Sequence, residues 1–410
     1  MTDCLQHVNQ TSRISDQPTM NTRTKSTSRS HRRHTTSSAA VGVITIVLSA
    51  GLLLSGCASN GGRGGSGSAG GSGVNSTGAD VTQPGTTGGP AAAFSIDDPV
   101  AVSTLRERAL TLLTTAAASG SPEQRANALE GLSLTPSRLK PLLAPALMHE
   151  SPGVRTVAAM LVGRGKIKEA AVHVRPLLND SSPFVRCAAI FALAGCGESV
   201  DQTPLANVLL NATETRQRAH AAYILGELGN PSAVGPLMAA SRSSVPRADP
   251  ISIRLMHLQV AEALVKLGQE SAMSEIRAAL YPGTEQDLEA AALAAQIIGQ
   301  LKDRSATGEL IVLTAMNAKG EGRYPPEARL AAAASLAQLG NPRGGFIAAE
   351  YAKSPIVPQR AQAAAVFGET RLMQNLPALA AMLDDPSTLV KISAAAGVLK
   401  ITDSAGENRR

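Results

Sequence analysis

Residues 182–193 read Ser182-Pro183-Phe184-Val185-Arg186-Cys187-Ala188-Ala189-Ile190-Phe191-Ala192-Leu193, a helix with a written start. Ser182 can accept a hydrogen bond from an orphan backbone N–H. Pro183 suits the first helical position, where its missing N–H costs nothing. Val185, Ala189, Leu193 and Cys196 then recur at steps of four, four and three, which is one face of an α-helix.

The phrase returns along the chain. Taking the basic residue after the first apolar position as its marker, it recurs at Arg125, Arg155, Arg186, Arg218, Arg329, Arg360 and Lys391. His257 and Ala291 hold that place between Arg218 and Arg329. Most steps are 30 to 32 residues, and the middle ones run 39, 34 and 38. Seven residues beyond each marker sits an apolar side chain, from Leu132 and Val162 through to Phe367 and Val398. The spacing predicts an all-α chain: an α-solenoid of about nine antiparallel helix pairs, each unit contacting only its neighbours.

First helices open on Ser-Pro at Ser121-Pro122, Ser151-Pro152, Ser182-Pro183 and Ser354-Pro355, and two close on Leu-Gly-Asn-Pro at Leu228–Pro231 and Leu339–Pro342. Glycine there supplies a left-handed C-cap and proline prevents continuation. Second helices are short, apolar and start near Pro141, Pro176, Pro204, Pro236 and Pro377. The ordered array is expected over 96–401. A helix over 98–117, opened by Asp98-Pro99, reads as an N-terminal cap, with repeats from 121. The ninth unit lacks a second helix, and 402–410 reads as a polar tail.

Residues 1–56 have the layout of a secretory signal peptide. A basic segment with Arg23, Lys25, Arg29, Arg32 and Arg33 precedes an apolar run, Ala39–Leu54, that is short for a bilayer span. Met20 is an alternative start. Residues 57–95 are rich in Gly, Ser and Thr and cannot bury enough surface to offset their conformational entropy, so they read as a flexible, disordered linker. Net charge is +6, but residues 1–56 carry six basic and two acidic residues, leaving 32 and 30 in the remainder. That near-neutral balance argues against a nucleic-acid binder.

Two resemblances follow from these residues. Leu54-Ser55-Gly56-Cys57 resembles the lipobox of bacterial lipoproteins. The resemblance implies cleavage before Cys57, a lipid on its thiol and a membrane tether in the cell envelope. Ala58, where an aspartate would retain a lipoprotein at the inner membrane, points to the periplasmic face of the outer membrane. The Ser/Asp-Pro, Val-Arg, alanine-block and Leu-Gly phrase, carried by Asp180–Gly197 and by Asp384–Lys391, resembles HEAT-like repeats of the phycobilisome-lyase type. That family implies a right-handed superhelix used for protein–protein binding, with some members acting on or near bilins.

Acidic residues precede several markers: Glu150 before Arg155, Asp180 before Arg186, Asp385 before Lys391. The expected role is a structural ladder of ion pairs along the stack. The ladder lapses at His257 and Ala291, near two insertions, 241–250 and 315–326. Their Arg242, Arg247, Lys319, Arg323 and Tyr324, with nearby Arg254, form a candidate partner-binding edge, since insertions in solenoids map to one edge. His149, His173, His220 and His257 lack metal-ligand spacing from one another or from cysteine. Cys196 sits where other units place leucine and reads as a buried hydrophobe. No metal, cofactor or catalytic constellation is expected. The leading expectation is a lipid-anchored, non-catalytic scaffold for an unidentified envelope protein or peptide. A bilin lyase or chaperone, with Cys187 as an attachment point, and a structural bridge between envelope layers are the alternatives.

Overall fold

The computed structural model describes residues 94–407, with side chains to Asp403; the expected signal segment, the lipobox-like sequence with Cys57 and nearly all of the Gly/Ser-rich stretch lie outside the described residues. Eighteen α-helices and several short 3₁₀ turns make up the described chain, with no strand among them. The first helices of the nine units are α2 (Pro122–Gly131), α4 (Pro152–Arg164), α6 (Pro183–Gly195), α8 (Thr215–Leu228), α10 (Pro250–Lys266), α12 (Leu288–Leu301), α14 (Pro326–Gln338), α16 (Val357–Thr370) and α18 (Thr388–Glu407). The second helices are α3 (Pro136–Leu147), α5 (Ala171–Val174), α7 (Thr203–Asn211), α9 (Val234–Ala240), α11 (Met273–Ala278), α13 (Thr307–Leu313), α15 (Arg343–Tyr351) and α17 (Leu376–Met382).

Each first helix packs on the next, and α18 packs back on α2, so the array closes into a ring. The expected α-solenoid is present, with its row of first helices closed on itself. The helix before the repeats, α1 (Pro99–Ser119), buries one side and leaves Thr104, Glu107, Arg108, Thr111 and Thr115 exposed on the other. It packs on α18 as well as α2, and so takes the outer place that the ninth unit leaves vacant. Leu105, Ala109, Leu110 and Leu113 are buried there, and Arg106 reaches Thr402 at 2.7 Å and Asp403 at 3.5 Å. The polar stretch after Ile401 begins as helix, because α18 continues to Glu407.

First helices form the inner wall and are buried almost all round: Val154 and Thr156–Gly163 in α4, Ala328–Ala337 in α14. Second helices bury one side only, typically two to four residues such as Leu205 and Leu209 of α7. An all-round apolar helix belongs inside; a one-sided helix belongs outside. Alanine and glycine let the inner helices converge. A β-carbon at Gly195 would lie 2.5 Å from the carbonyl oxygen of Gly163, and one at Gly368 would lie 2.6 Å from the Cα of Gly397. Small residues inside and leucine outside make each unit a wedge, which bends the row until its ends meet.

Helix starts differ in detail from the sequence reading. Ser121 and Asp98 cap their helices through the side chain, accepting from Gln124 N–H and Val100 N–H. Ser182 and Ser151 do not. At Ser182 the cap is inverted: its N–H donates to Asp180 Oδ1 at 2.8 Å. Ser354-Pro355 lies before the start of α16, which opens at Val357 with Pro358 in its first turn. At the other end the C-cap reading holds, with Gly229 at φ 67° and Gly340 at φ 80°.

Candidate functional site

One edge of the ring carries the marker cations, near the N-terminal ends of the inner helices. Arg155 donates from Nε and Nη2 to both oxygens of Asp180 in the next unit, at 2.8 and 2.9 Å, and Arg360 does the same to Asp385 at 2.7 and 3.0 Å. Burial works against charge on Asp180, but the Arg155 guanidinium and the Ser182 N–H hold its carboxyl below the usual range. The other markers differ from the expected ion pairs. Arg125 donates to the Gly120 carbonyl, Arg186 to those of Asp180 and Ser181, and Arg218 to that of Ala212. Glu150 likewise offers Arg155 its backbone carbonyl rather than its carboxylate. A turn ahead of a helix leaves carbonyls pointing back along it, and an arginine one turn in can reach them without any carboxylate. Arg329 is buried and pairs with Glu350 at 2.8 Å and with the Tyr351 hydroxyl. Lys391 adds to the field that keeps Asp385 ionised.

Both insertions emerge on this same edge, between a second helix and the next first helix. The 241–250 loop is pinned by Val245, buried against Ala219 and Met256, and by Ser243, whose hydroxyl accepts from Arg218 and whose carbonyl faces His257 Nε2 at 3.2 Å. The 315–326 loop is a small hairpin closed by an antiparallel bridge between Met316 and Gly322, with Gly320 at φ 78° in its turn. Arg242, Arg247, Lys319 and Arg323 are exposed, and Arg323 stacks over the half-buried Tyr324 ring at 5.4 Å. Arg254 does not join them in solvent; it is half-buried and paired with Asp287.

The second polar region lies near the C-terminal ends of the inner helices and was not singled out from the sequence. Five and nine residues past the marker, side chains point to the ring axis, where most units carry something polar or charged: Glu130, Arg164, Tyr223, Glu227, Glu262, Lys266, Gln300, Glu369 and Lys400. Arg164 of α4 donates to the Tyr223 hydroxyl of α8 at 2.7 Å, two places round the ring. Lys266 bridges Glu227 at 2.6 Å and Glu262 at 2.5 Å and lies 4.8 Å over the Tyr223 ring. Burial opposes charge on Lys266, yet the two carboxylates raise it to about 12. Lys400 pairs with Glu369.

Glu130 is the exception. Neither carboxylate oxygen has a hydrogen-bond partner or accessible surface, and burial pushes its pKa up to about 7 in spite of Arg164 and Lys400 nearby. It lines a partly open cavity of about 610 Å³, bounded by α2, α3, α4, α16 and α18 with Gln300 of α12 from across the ring. The signal for this region was a charged residue recurring at fixed offsets within apolar helices. Sequence alone does not show that those offsets meet at one axis.

Cys187 and Cys196 are buried and unpaired with each other, and burial pushes the Cys187 thiol up to about 12, which removes the thiolate that attachment chemistry needs. Among the described residues no group of three or more His, Cys, Asp or Glu could hold a metal ion, and no helix is long and apolar enough to cross a membrane.

Residues 217–243, spanning α8 to the first insertion, match the family model of the PBS lyase HEAT-like repeat. The chain carries a HEAT-like repeat of this type. No curated protein sequence matches it. Among solved structures, the chain is similar to human deoxyhypusine hydroxylase in complex with glycerol, at 16% identity over 75% of this chain and 100% of that one, TM-score 0.33. The complex of CpcE and CpcF of phycocyanin lyase from Nostoc sp. PCC7120 is similar at 18% identity over 64% and 93%, TM-score 0.32. Kap121p bound to Pho4p is similar at 13% identity over 72% and 38%, TM-score 0.31.

Proposed function

We propose that this HEAT-like repeat protein is a lipid-anchored, non-catalytic scaffold of the bacterial envelope that holds an acidic protein or peptide on the insertion-bearing edge of its ring. The observation that carries the reading is the division of cations on that edge. The marker arginines are committed to their own turns and neighbouring carboxylates, whereas Arg242, Arg247, Lys319 and Arg323 are exposed on two loops. The two loops also hold the exposed carboxylates Asp249 and Glu321, so they are net basic, four cations against two acids, and a net-basic surface steers an acidic partner. A stack of repeats supplies the rigid surface, and the Leu54-Ser55-Gly56-Cys57 sequence followed by a Gly/Ser-rich stretch supports a tether with reach. The polar side chains of the interior are mostly spent on one another, which fits binding better than turnover.

The test is crosslinking and pull-down from intact envelopes with the native chain and a variant carrying Arg242→Glu, Arg247→Glu, Lys319→Glu and Arg323→Glu. The scaffold reading expects one dominant partner that the variant loses. A partner retained by the variant moves the site off this edge. No partner above background in either sample favours a structural bridge. For the tether, Cys57→Ser is expected to release the protein into the soluble fraction; a variant still membrane-bound at unchanged size would overturn that half.

A further inference from the structure

We propose that the axial cavity is a binding site for a small organic cation, a primary amine carried on an apolar body. The cavity, about 610 Å³, falls in the range of small-molecule pockets, and its walls are largely hydrocarbon, with Leu139, Leu161, Ile167 and Ile392 among them. Its polar groups are unequal. Lys400 is neutralised by Glu369, and Arg164 donates to the Tyr223 hydroxyl. Glu130 lines the same space, and its carboxylate oxygens, which have no accessible surface, accept no hydrogen bond. A buried acceptor left unmade costs the full desolvation of the group, and more when the group is charged.

The missing element is therefore a donor with positive charge. An ammonium group supplies three N–H donors and a charge opposite to the carboxylate, and the hydrocarbon walls cover the rest of the molecule. The Glu130 oxygens have no accessible surface in this structure, so contact requires the side chain to turn toward the cavity that the residue lines; three torsions allow that. A carboxylate ligand fits poorly. The three cations of the lining already have partners, Lys140 with Glu169, Arg164 with the Tyr223 hydroxyl and Lys400 with Glu369, and Glu130 would repel it. The inference is independent of the proposed scaffold role, because the cavity lies at the opposite ends of the inner helices from the insertion-bearing edge.

The test is isothermal titration of the full chain at pH 8 with octylammonium chloride, and with 1-octanol and sodium octanoate as neutral and anionic counterparts of the same length. The expected result is saturable binding of about one octylammonium per chain, at least tenfold tighter than either counterpart. Glu130→Gln keeps the shape of the side chain and is expected to weaken octylammonium at least tenfold while leaving octanol unchanged. Equal affinity of octanoate and octylammonium would overturn the proposal. So would undiminished amine binding by the Gln variant, or no saturable binding of any alkylammonium from butyl to octyl. Should the variant fold poorly, the comparison of amine with alcohol and carboxylate on the native chain decides alone.

Discussion

Glu130 gives the sharpest stability prediction. In the unfolded chain its carboxyl titrates near the ordinary 4.5; in the folded ring, burial lifts it to about 7. The folded state thus holds this proton more tightly than the unfolded state. Stability from that preference is complete below pH 4.5, declines as pH rises, and is gone above about 7. At about 1.36 kcal/mol per pH unit, the whole fall is on the order of 3 kcal/mol. Glu130→Gln carries no proton to lose and escapes the fall. The perturbation to measure is therefore a difference: urea unfolding of native chain and Gln variant side by side from pH 5 to pH 8. The variant should gain on the native chain by about 2–3 kcal/mol across that range, with the two closest at the acid end. His220 pulls the other way, since burial lowers it to about 4 and its stabilisation is lost as pH falls below 6.5. It is common to both chains and cancels. A difference between the two chains that stays flat with pH would refute the reasoning, because it would mean that the Glu130 carboxyl titrates alike in folded and unfolded states.

Three further outcomes are expected. Leu113→Ala, in α1, should cost about 2–5 kcal/mol by urea unfolding, the range for a buried leucine, since Leu113 is fully buried beside α2 and the closing helix α18; an unchanged midpoint would show that α1 adds nothing to the stability of the closed array. Gly368→Val should lower stability by about 1–3 kcal/mol or more, because the added carbons meet the backbone of Gly397, and small-angle scattering of the folded fraction should report an enlarged particle. Arg360→Ala, which breaks a mostly buried pair and strands Asp385, should cost about 3 kcal/mol, whereas Arg138→Ala, which breaks an exposed pair with Glu107, should cost less than about 1 kcal/mol; equal effects in denaturation would show that burial does not set the worth of these pairs.

The sequence by itself determined the helices, their count and their phase. Proline and glycine act locally, through fixed φ and left-handed caps, so the start of α2 and the C-terminal ends of α8 and α14 could be read within a residue or so. The three-four spacing of alanine and leucine is also local, and it identified the buried stripe of α6. The Ser182 hydroxyl makes no cap; the turn is instead held by the Ser182 N–H donating to Asp180, which Arg155 fixes in place. That arginine comes from the preceding unit, so the outcome depended on how units stack.

Closure was decided only by the tertiary structure. Each wedge turns the chain by a small angle, and whether nine such turns make an open superhelix or a ring depends on their sum, to which every inter-helix contact contributes. No single residue states it. Once the ends meet, α1 finds the gap beside α18, and charged residues 130, 164, 369 and 400, which look unrelated along the chain, face one axis. The repeat was legible because it is written in local periodicity. The cavity with its unpartnered carboxylate was not, because it exists only where distant units converge.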